Sequence, residues 1–145
     1  RYSHELRPGV LDHLGLLAAL EQIVEDTNKI KQVKVRLIVE GQEPELSDEV
    51  KLGFFRIAQE ALNNVRKHAR IGMATVNLQF DERYIRMEIV DNGAGFDIKE
   101  ALTRSGSKGS LGLMSMQERA KLIGADLKII SEPGKGTRVT VEIRV

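Results

Sequence analysis

The chain has 145 residues, with 22 Lys+Arg against 21 Asp+Glu, a formal net charge of +1 and no Cys. That balance gives no electrostatic case for contact with nucleic acid or a membrane surface, and the absent thiols exclude disulfides and thiolate metal sites while allowing a reducing compartment. The length suits one domain with a proper core; the apolar run at 14–20, interrupted by Gly15, is far too short to span a bilayer, and no signal peptide is visible.

Residues 1–9 are polar and end in the breaker pair Pro8-Gly9. The chain opens mid-pattern at Arg1 without a Met, as a piece of a larger protein would. A helix is expected over 10–28, where Leu14, Leu17, Ala18, Leu20, Ile23 and Val24 recur near helical spacing. Residues 33–40 alternate strictly, with Val33, Val35, Leu37 and Val39 on one face of a strand, and 41–46 form a loop containing Pro44.

Ser47 or Asp48 is suited to cap a long helix running to about residue 69. At 100° per residue its core stripe is Phe54, Ala58, Ala61, Leu62, Val65 and Ala69, with Gln59, Asn63, Arg66 and Arg70 opposite, in water. Glu60, Asn64 and Lys67 share one flank, and His68 lies where that flank meets the stripe. Taken alone, an ordinary solvated flank with a satisfied His accounts for that edge better than a site does.

A strand follows over 73–80, with Ala74, Val76, Leu78 and Phe80 inward, then a tight turn at Asp81-Glu82-Arg83. In the next strand Ile85, Met87 and Ile89 share a face, and Asp91 continues it, so its carboxylate should aim inward. Burying a carboxylate is costly unless something there hydrogen-bonds to it. Gly93 and Gly95 follow directly, leaving the backbone bare enough for a flat ligand to lie against. Asp91-Asn92-Gly93 is equally good type I′ hairpin chemistry, and locally the two readings stand even; residues 96–110 do not supply the second strand a hairpin needs.

Residues 98–102 are suited to a single helical turn, and the rest of 97–109, with Gly106 and Gly109 in a Ser/Gly/Lys cluster, is expected to be a mobile loop and candidate lid. Ser110 is placed to cap a helix over 111–123 that Gly124 stops. Two strands, 126–131 and 137–145, are joined by Glu132-Pro133-Gly134-Lys135-Gly136, and the Thr137 hydroxyl falls at the rim of the apolar side. No internal repeats or low-complexity tracts occur. The expected architecture is α+β: a two-layer sandwich with one mixed sheet and helices on one face. Clean alternation argues against a doubly wound parallel sheet. There is no G-x-x-x-x-G-K-[ST], Gly93-Ala94-Gly95 lacks the third glycine of a dinucleotide fingerprint, and the three His have no metal-ligand spacing.

What remains is distinctive in combination. In order stand residues 60–69 (EALNNVRKHA), 91–96 (DNGAGF), 112–120 (GLMSMQERA) and 134–137 (GKGT). This set resembles the N, G1, G2 and terminal Gly-Thr boxes of the ATP-binding catalytic domain of sensor histidine kinases, in the superfamily shared with gyrase B, HSP90 and MutL. One D-x-G-x-G is a weak signal; four boxes in order are a strong one. Residues 6–16 (LRPGVLDHLGL) look like the join between dimerisation helices and catalytic domain in the subfamily that signals to helix-turn-helix response regulators. The resemblance thus implies a linker end plus first helix over 1–30 and the Bergerat-type ATP-binding domain over 31–145, in the cytoplasmic part of a sensor, whether membrane-anchored or not.

By that resemblance Asp91 corresponds to the acid that accepts from the adenine amino group, Gly93 and Gly95 to the glycines closing over the base, and Thr137 to the hydroxyl that completes the adenine site through water. Asn64 matches the amide that ligates Mg²⁺, a hard cation suited to oxygen ligands, and Glu60 the general base or water-orienting acid. Lys67 and His68 would meet phosphate oxygens, and the segment Ser110, Leu111, Gly112, Leu113 would receive phosphate at a helix N-terminus. The second glycine box departs from the family's Gly-x-Gly-Leu in having Ser110 first, with Gly109 one residue early. Ser3-His4-Glu5-Leu6-Arg7-Pro8 superficially resembles a phosphoacceptor motif, but Pro8-Gly9 breaks any helix at once, so the acceptor His is expected upstream, on a dimerisation domain outside this chain. The rivals are an ATPase or anti-sigma serine kinase of the same superfamily, and a non-catalytic interaction domain with a decayed pocket.

Overall fold

The computed structural model describes residues 9–30, 33–68, 72–95, 97–103 and 112–145. In chain order they form α1 (Gly9–Asn28), β1 (Val33–Glu40), α2 (Asp48–His68), β2 (Gly72–Phe80), β3 (Tyr84–Asp91), α3 (Ile98–Thr103), α4 (Leu113–Leu122), β4 (Asp126–Ser131) and β5 (Thr137–Arg144). The strands make one five-stranded sheet in the order β1-β2-β3-β5-β4. Only β1 and β2 are parallel; the other three pairings are antiparallel. The parallel pair follows from the crossover through α2, whereas short turns can join only antiparallel neighbours.

The expected mixed sheet with helices on one face is what forms, and period-two patterning explains it. Val33, Val35, Ala74, Val76, Leu78, Ile85, Met87, Ile89, Val139 and Val141 are buried on one face. Against them pack Phe54, Ile57, Ala58, Ala61, Leu62 and Val65 of α2, Leu11, Leu16, Ala19 and Leu20 of α1, and Leu113, Met116 and Ala120 of α4. The opposite face is polar: Glu88 meets Arg138 at 3.3 Å and Arg86 at 3.9 Å, and Arg86 also reaches Glu142 at 3.9 Å.

Three local expectations need correction. The first helix is not continuous: Gly15, at φ 91° and ψ −177°, breaks α1. The cause is distant in sequence, for the Glu43 carboxylate accepts from the amides of Leu16 (2.8 Å) and Leu17 (2.9 Å), capping the second half of α1. A Cβ on Gly15 would stand 2.8 Å from that carboxylate. The last helix starts at Leu113 behind an N-cap at Gly112, with no side-chain cap, so the cap position is Gly112 and not Ser110. The polar arc of α2 is also less wet than expected: Gln59 and Asn63 are half-buried. Arg56, only 6% exposed, lies over the Phe55 ring and donates to Gln59 Oε1 at 2.8 Å.

Candidate functional site

The site is built around the end of the sheet. Ala74, Asp91, Thr137 and Ser131 are successive partners across β2, β3, β5 and β4. Directly paired residues point to the same face, so all four side chains join the row that continues Ile89 and Val139 on the inner side. Asp91 is half-buried, as its place in the alternation requires. Its Oδ1 accepts from the Gly93 amide at 2.8 Å, a local turn that directs the chain out of the sheet. The hairpin alternative is excluded, because β3 pairs only with β2 and β5 and the next described element is α3. Asn92 is occupied with β2: its side chain accepts from the Met73 amide at 3.0 Å.

The glycines of the two loops do more here than leave a base uncovered. Gly136, at φ +77°, sits so close to β3 that a Cβ would lie 2.2 Å from the Asp91 carbonyl oxygen. Gly95, at φ +69°, is pressed against the carbonyls of Glu132 and Gly136, and Gly134 donates its amide to the Ala94 carbonyl. The 91–95 and 132–136 loops therefore interlock backbone to backbone, and this fixes Asp91 beside Thr137.

Ser131 was missed in the sequence, where it looks like an ordinary strand end. It is 8% exposed, and its Oγ lies 2.8 Å from Thr137 Oγ1 and 3.1 Å from the Gly136 carbonyl. A polar residue on an inward position of an alternating strand was the available signal. Asp91, Ser131, Gly136 and Thr137 border a recess of about 230 Å³ that also takes in Val90, Ile130 and Arg138 at the sheet end. A larger trough of about 430 Å³ lies on the outer face, among Arg86, Glu88, Lys128 and Arg138. It contains none of the expected site residues.

The second half of the expected site lies between α2 and the start of α4. Glu60 and Asn64, one helical turn apart, are both half-buried. The Glu60 carboxylate lies against Gly112: a Cβ there would be 2.0 Å from Oε2. Gly112, at φ +66°, thus admits the acid to the N-terminus of α4, whose first-turn amides have no side-chain cap. Lys67 is exposed. His68 ends α2, but its side chain, like Ser110 and Leu111, lies outside the described residues. Leu113 is 1% exposed and belongs to the core. The structure therefore gathers Asp91, Gly93, Gly95 and Thr137 in one group and Glu60, Asn64 and Gly112 in another.

The fold is thus a two-layer sandwich with an acid at the end of its sheet and a helix terminus, without a side-chain cap, beside an α2 carboxylate. Residues 48–145 match the family described as histidine kinase-, DNA gyrase B-, and HSP90-like ATPase, and the chain belongs to it. Among curated proteins it is 41% identical over 141 residues to the sensor histidine kinase MctS of Rhizobium johnstonii, covering 97% of this chain and 30% of that protein. It is 33% identical over 140 residues to the signal transduction histidine-protein kinase/phosphatase DegS of Bacillus subtilis (94% and 36%). Against the oxygen sensor histidine kinase NreB of Staphylococcus carnosus the identity is 34% over 143 residues (99% and 40%). The chain thus spans about a third of the length of these relatives. Among solved structures, the histidine kinase domain of the blue-light activated kinase of Erythrobacter litoralis EL346 superposes with a TM-score of 0.69 at 21% identity, over 86% of this chain and 58% of that one. The catalytic domain of the histidine kinase ThkA superposes at 0.68 and 12% identity, over 89% of both. All three of these curated relatives are histidine kinases by name, and the similarity to each runs over nearly the whole of this chain.

Proposed function

We propose that the chain is the catalytic domain of a two-component sensor kinase that binds Mg-ATP and passes its γ-phosphoryl group to a His on a dimerisation domain encoded upstream. Residues 1–30 would be the end of the linker plus the first helix, and 31–145 the nucleotide-binding domain. The observation that carries this reading is the inward, half-buried Asp91 placed in register with Thr137 at the open end of an apolar face. An acceptor-only carboxylate in that position suits the amino group of adenine, and the glycine-rich loops hold it there.

On this reading Asp91 and Thr137 read the base, with the backbone of Gly93 and Gly95 against the ring. The amide of Gly112, with Ser110 and Leu111 ahead of it and the buried Leu113 behind, would receive phosphate at the start of α4; Lys67 and His68 add charge from the end of α2. The donor set fits Mg²⁺ only as a shared ligand sphere. Among the described residues no group of three or more His, Cys, Asp or Glu could hold a metal, and Mg²⁺ characteristically combines few protein oxygens with phosphates and water. Asn64 would supply its amide oxygen, and the ion would neutralise phosphate charge. Glu60, one turn earlier, would orient or deprotonate the accepting imidazole. Positioning and charge neutralisation supply most of the catalysis in such transfers.

The partners of the whole protein would be a second copy through the dimerisation domain and a response regulator with helix-turn-helix output, in the cytoplasm, with no direct nucleic-acid or membrane contact by this domain. The test is phosphotransfer: the chain, γ-labelled ATP, Mg²⁺ and a separately produced His-bearing dimerisation hairpin. Label on the hairpin, none on the chain alone, and loss of transfer with Glu60→Gln are expected. Label on a Ser, or release of phosphate only, would overturn the assignment of kinase class.

A further inference from the structure

We propose that Ser131 sets the hydrogen-bond polarity of the purine site: it holds the Thr137 hydroxyl as an acceptor, so that the site selects a base with an exocyclic amino group over one with an oxo group. The inference rests on the nucleotide-binding reading above and adds a positioning residue to it. Ser131 Oγ contacts the Gly136 carbonyl oxygen at 3.1 Å and Thr137 Oγ1 at 2.8 Å. A hydroxyl carries one proton and a carbonyl none. Both contacts hold a proton only when Ser131 donates to Gly136 and Thr137 donates to Ser131. The reverse order would leave two lone-pair oxygens facing each other at 3.1 Å. The Thr137 proton is therefore committed to a residue buried to 8% exposure, and the Thr137 oxygen turns lone pairs toward the site.

Asp91, the direct cross-strand partner of Thr137, is also an acceptor when ionised. Direct partners on neighbouring strands have Cβ atoms about 4.5–5.5 Å apart. Two oxygens that each accept one N–H of the same amino group, at about 2.9 Å, stand roughly 5 Å apart. On one face of neighbouring strands, the two acceptors can each take one proton of an amino group, directly or through one water. An oxo group in that place meets lone pairs on two sides.

The experiment is titration calorimetry of this chain with ADP and with inosine diphosphate, each with Mg²⁺, read as the ratio of their Kd values. Wild type should favour ADP. Ser131→Ala frees the Thr137 proton to donate to an oxo group and should narrow the ratio roughly three- to tenfold, while Ser131→Thr, which keeps the hydroxyl, should retain it. Thr137→Val should narrow the ratio by itself, and adding Ser131→Ala to it should change nothing further. An Ala variant that weakens both nucleotides equally, leaving the wild-type ratio, overturns the inference and reduces Ser131 to a structural role. If Ser131→Ala does not fold, Thr137→Val decides, and an unchanged ratio there overturns it. Wild type that binds neither nucleotide overturns the underlying reading instead, so the two failures are distinguishable.

Discussion

Two glycines in one loop separate backbone strain from steric collision. Gly134 and Gly136 both have positive φ, +81° and +77°. A Cβ at Gly134 meets nothing within 4 Å, whereas at Gly136 it would lie 2.2 Å from the Asp91 carbonyl oxygen and 3.2 Å from Asn92 Cα. Gly134→Ala should therefore cost only the left-handed backbone penalty, about 1–2 kcal/mol. Gly136→Ala adds a clash between two backbones, neither of which can turn aside as a side chain would. Relief requires β3 and β5 to part at the Asp91–Thr137 row, at about 1 kcal/mol per hydrogen bond lost, for a total of about 3–5 kcal/mol. At about 3 °C per kcal/mol for a domain of this size, thermal unfolding should fall by about 3–6 °C for Gly134→Ala and about 9–15 °C for Gly136→Ala. The assay is circular dichroism melting of both variants against wild type. Equal losses would refute the interlocked-loop account, because strain alone would then explain both.

Two further perturbations probe the ends of the helices. Glu43→Ala removes the carboxylate from the Leu16 and Leu17 amides and should cost about 0.5–2 kcal/mol, as loss of an N-cap does; hydrogen exchange at those two amides should speed up, and unchanged exchange would contradict the capping role. Gly112→Ala places its Cβ on the Glu60 carboxylate, the far end of a flexible side chain, so stability should fall by no more than about 2 kcal/mol, mostly strain. Combined with Glu60→Ala it should cost less than the sum of the two single changes; strict additivity in denaturant melts would place the carboxylate elsewhere.

The sheet was legible in the sequence because its strands carry a solvated face. The alternation in 33–40 and 84–91 assigned inner and outer residues, and it alone directed Asp91 inward. The core stripe of α2 followed from its 100° period, with Phe54, Ala58, Ala61, Leu62 and Val65 all buried. What was not legible depends on residues far apart in the chain. The break at Gly15 needs Glu43, whose bond to the Leu16 amide spans 27 positions, and helical spacing across 10–28 gave no sign of it. Ile57 and Phe55 widen the buried face beyond the stripe because α1 and α4 pack on either side of α2. Gly95 carries the sequence signature of a ligand-facing glycine, yet the contacts that forbid a Cβ there are to the carbonyls of Glu132 and Gly136, and those at Gly136 are to the backbone of Asp91 and Asn92. Ser131 has no motif of its own; only the register that sets it opposite Thr137 gives it a role.

The central claim is that the end of this sheet receives a purine through the Asp91 carboxylate. Calorimetric titration of the chain with Mg-ADP, beside Asp91→Asn, tests it most directly. Saturable one-to-one heat for wild type and loss of most of the affinity in the Asn variant, with its melting temperature within a few degrees of wild type, are the expected results. Binding of equal strength in both proteins, or no heat and no protection of wild type against thermal unfolding, would contradict it.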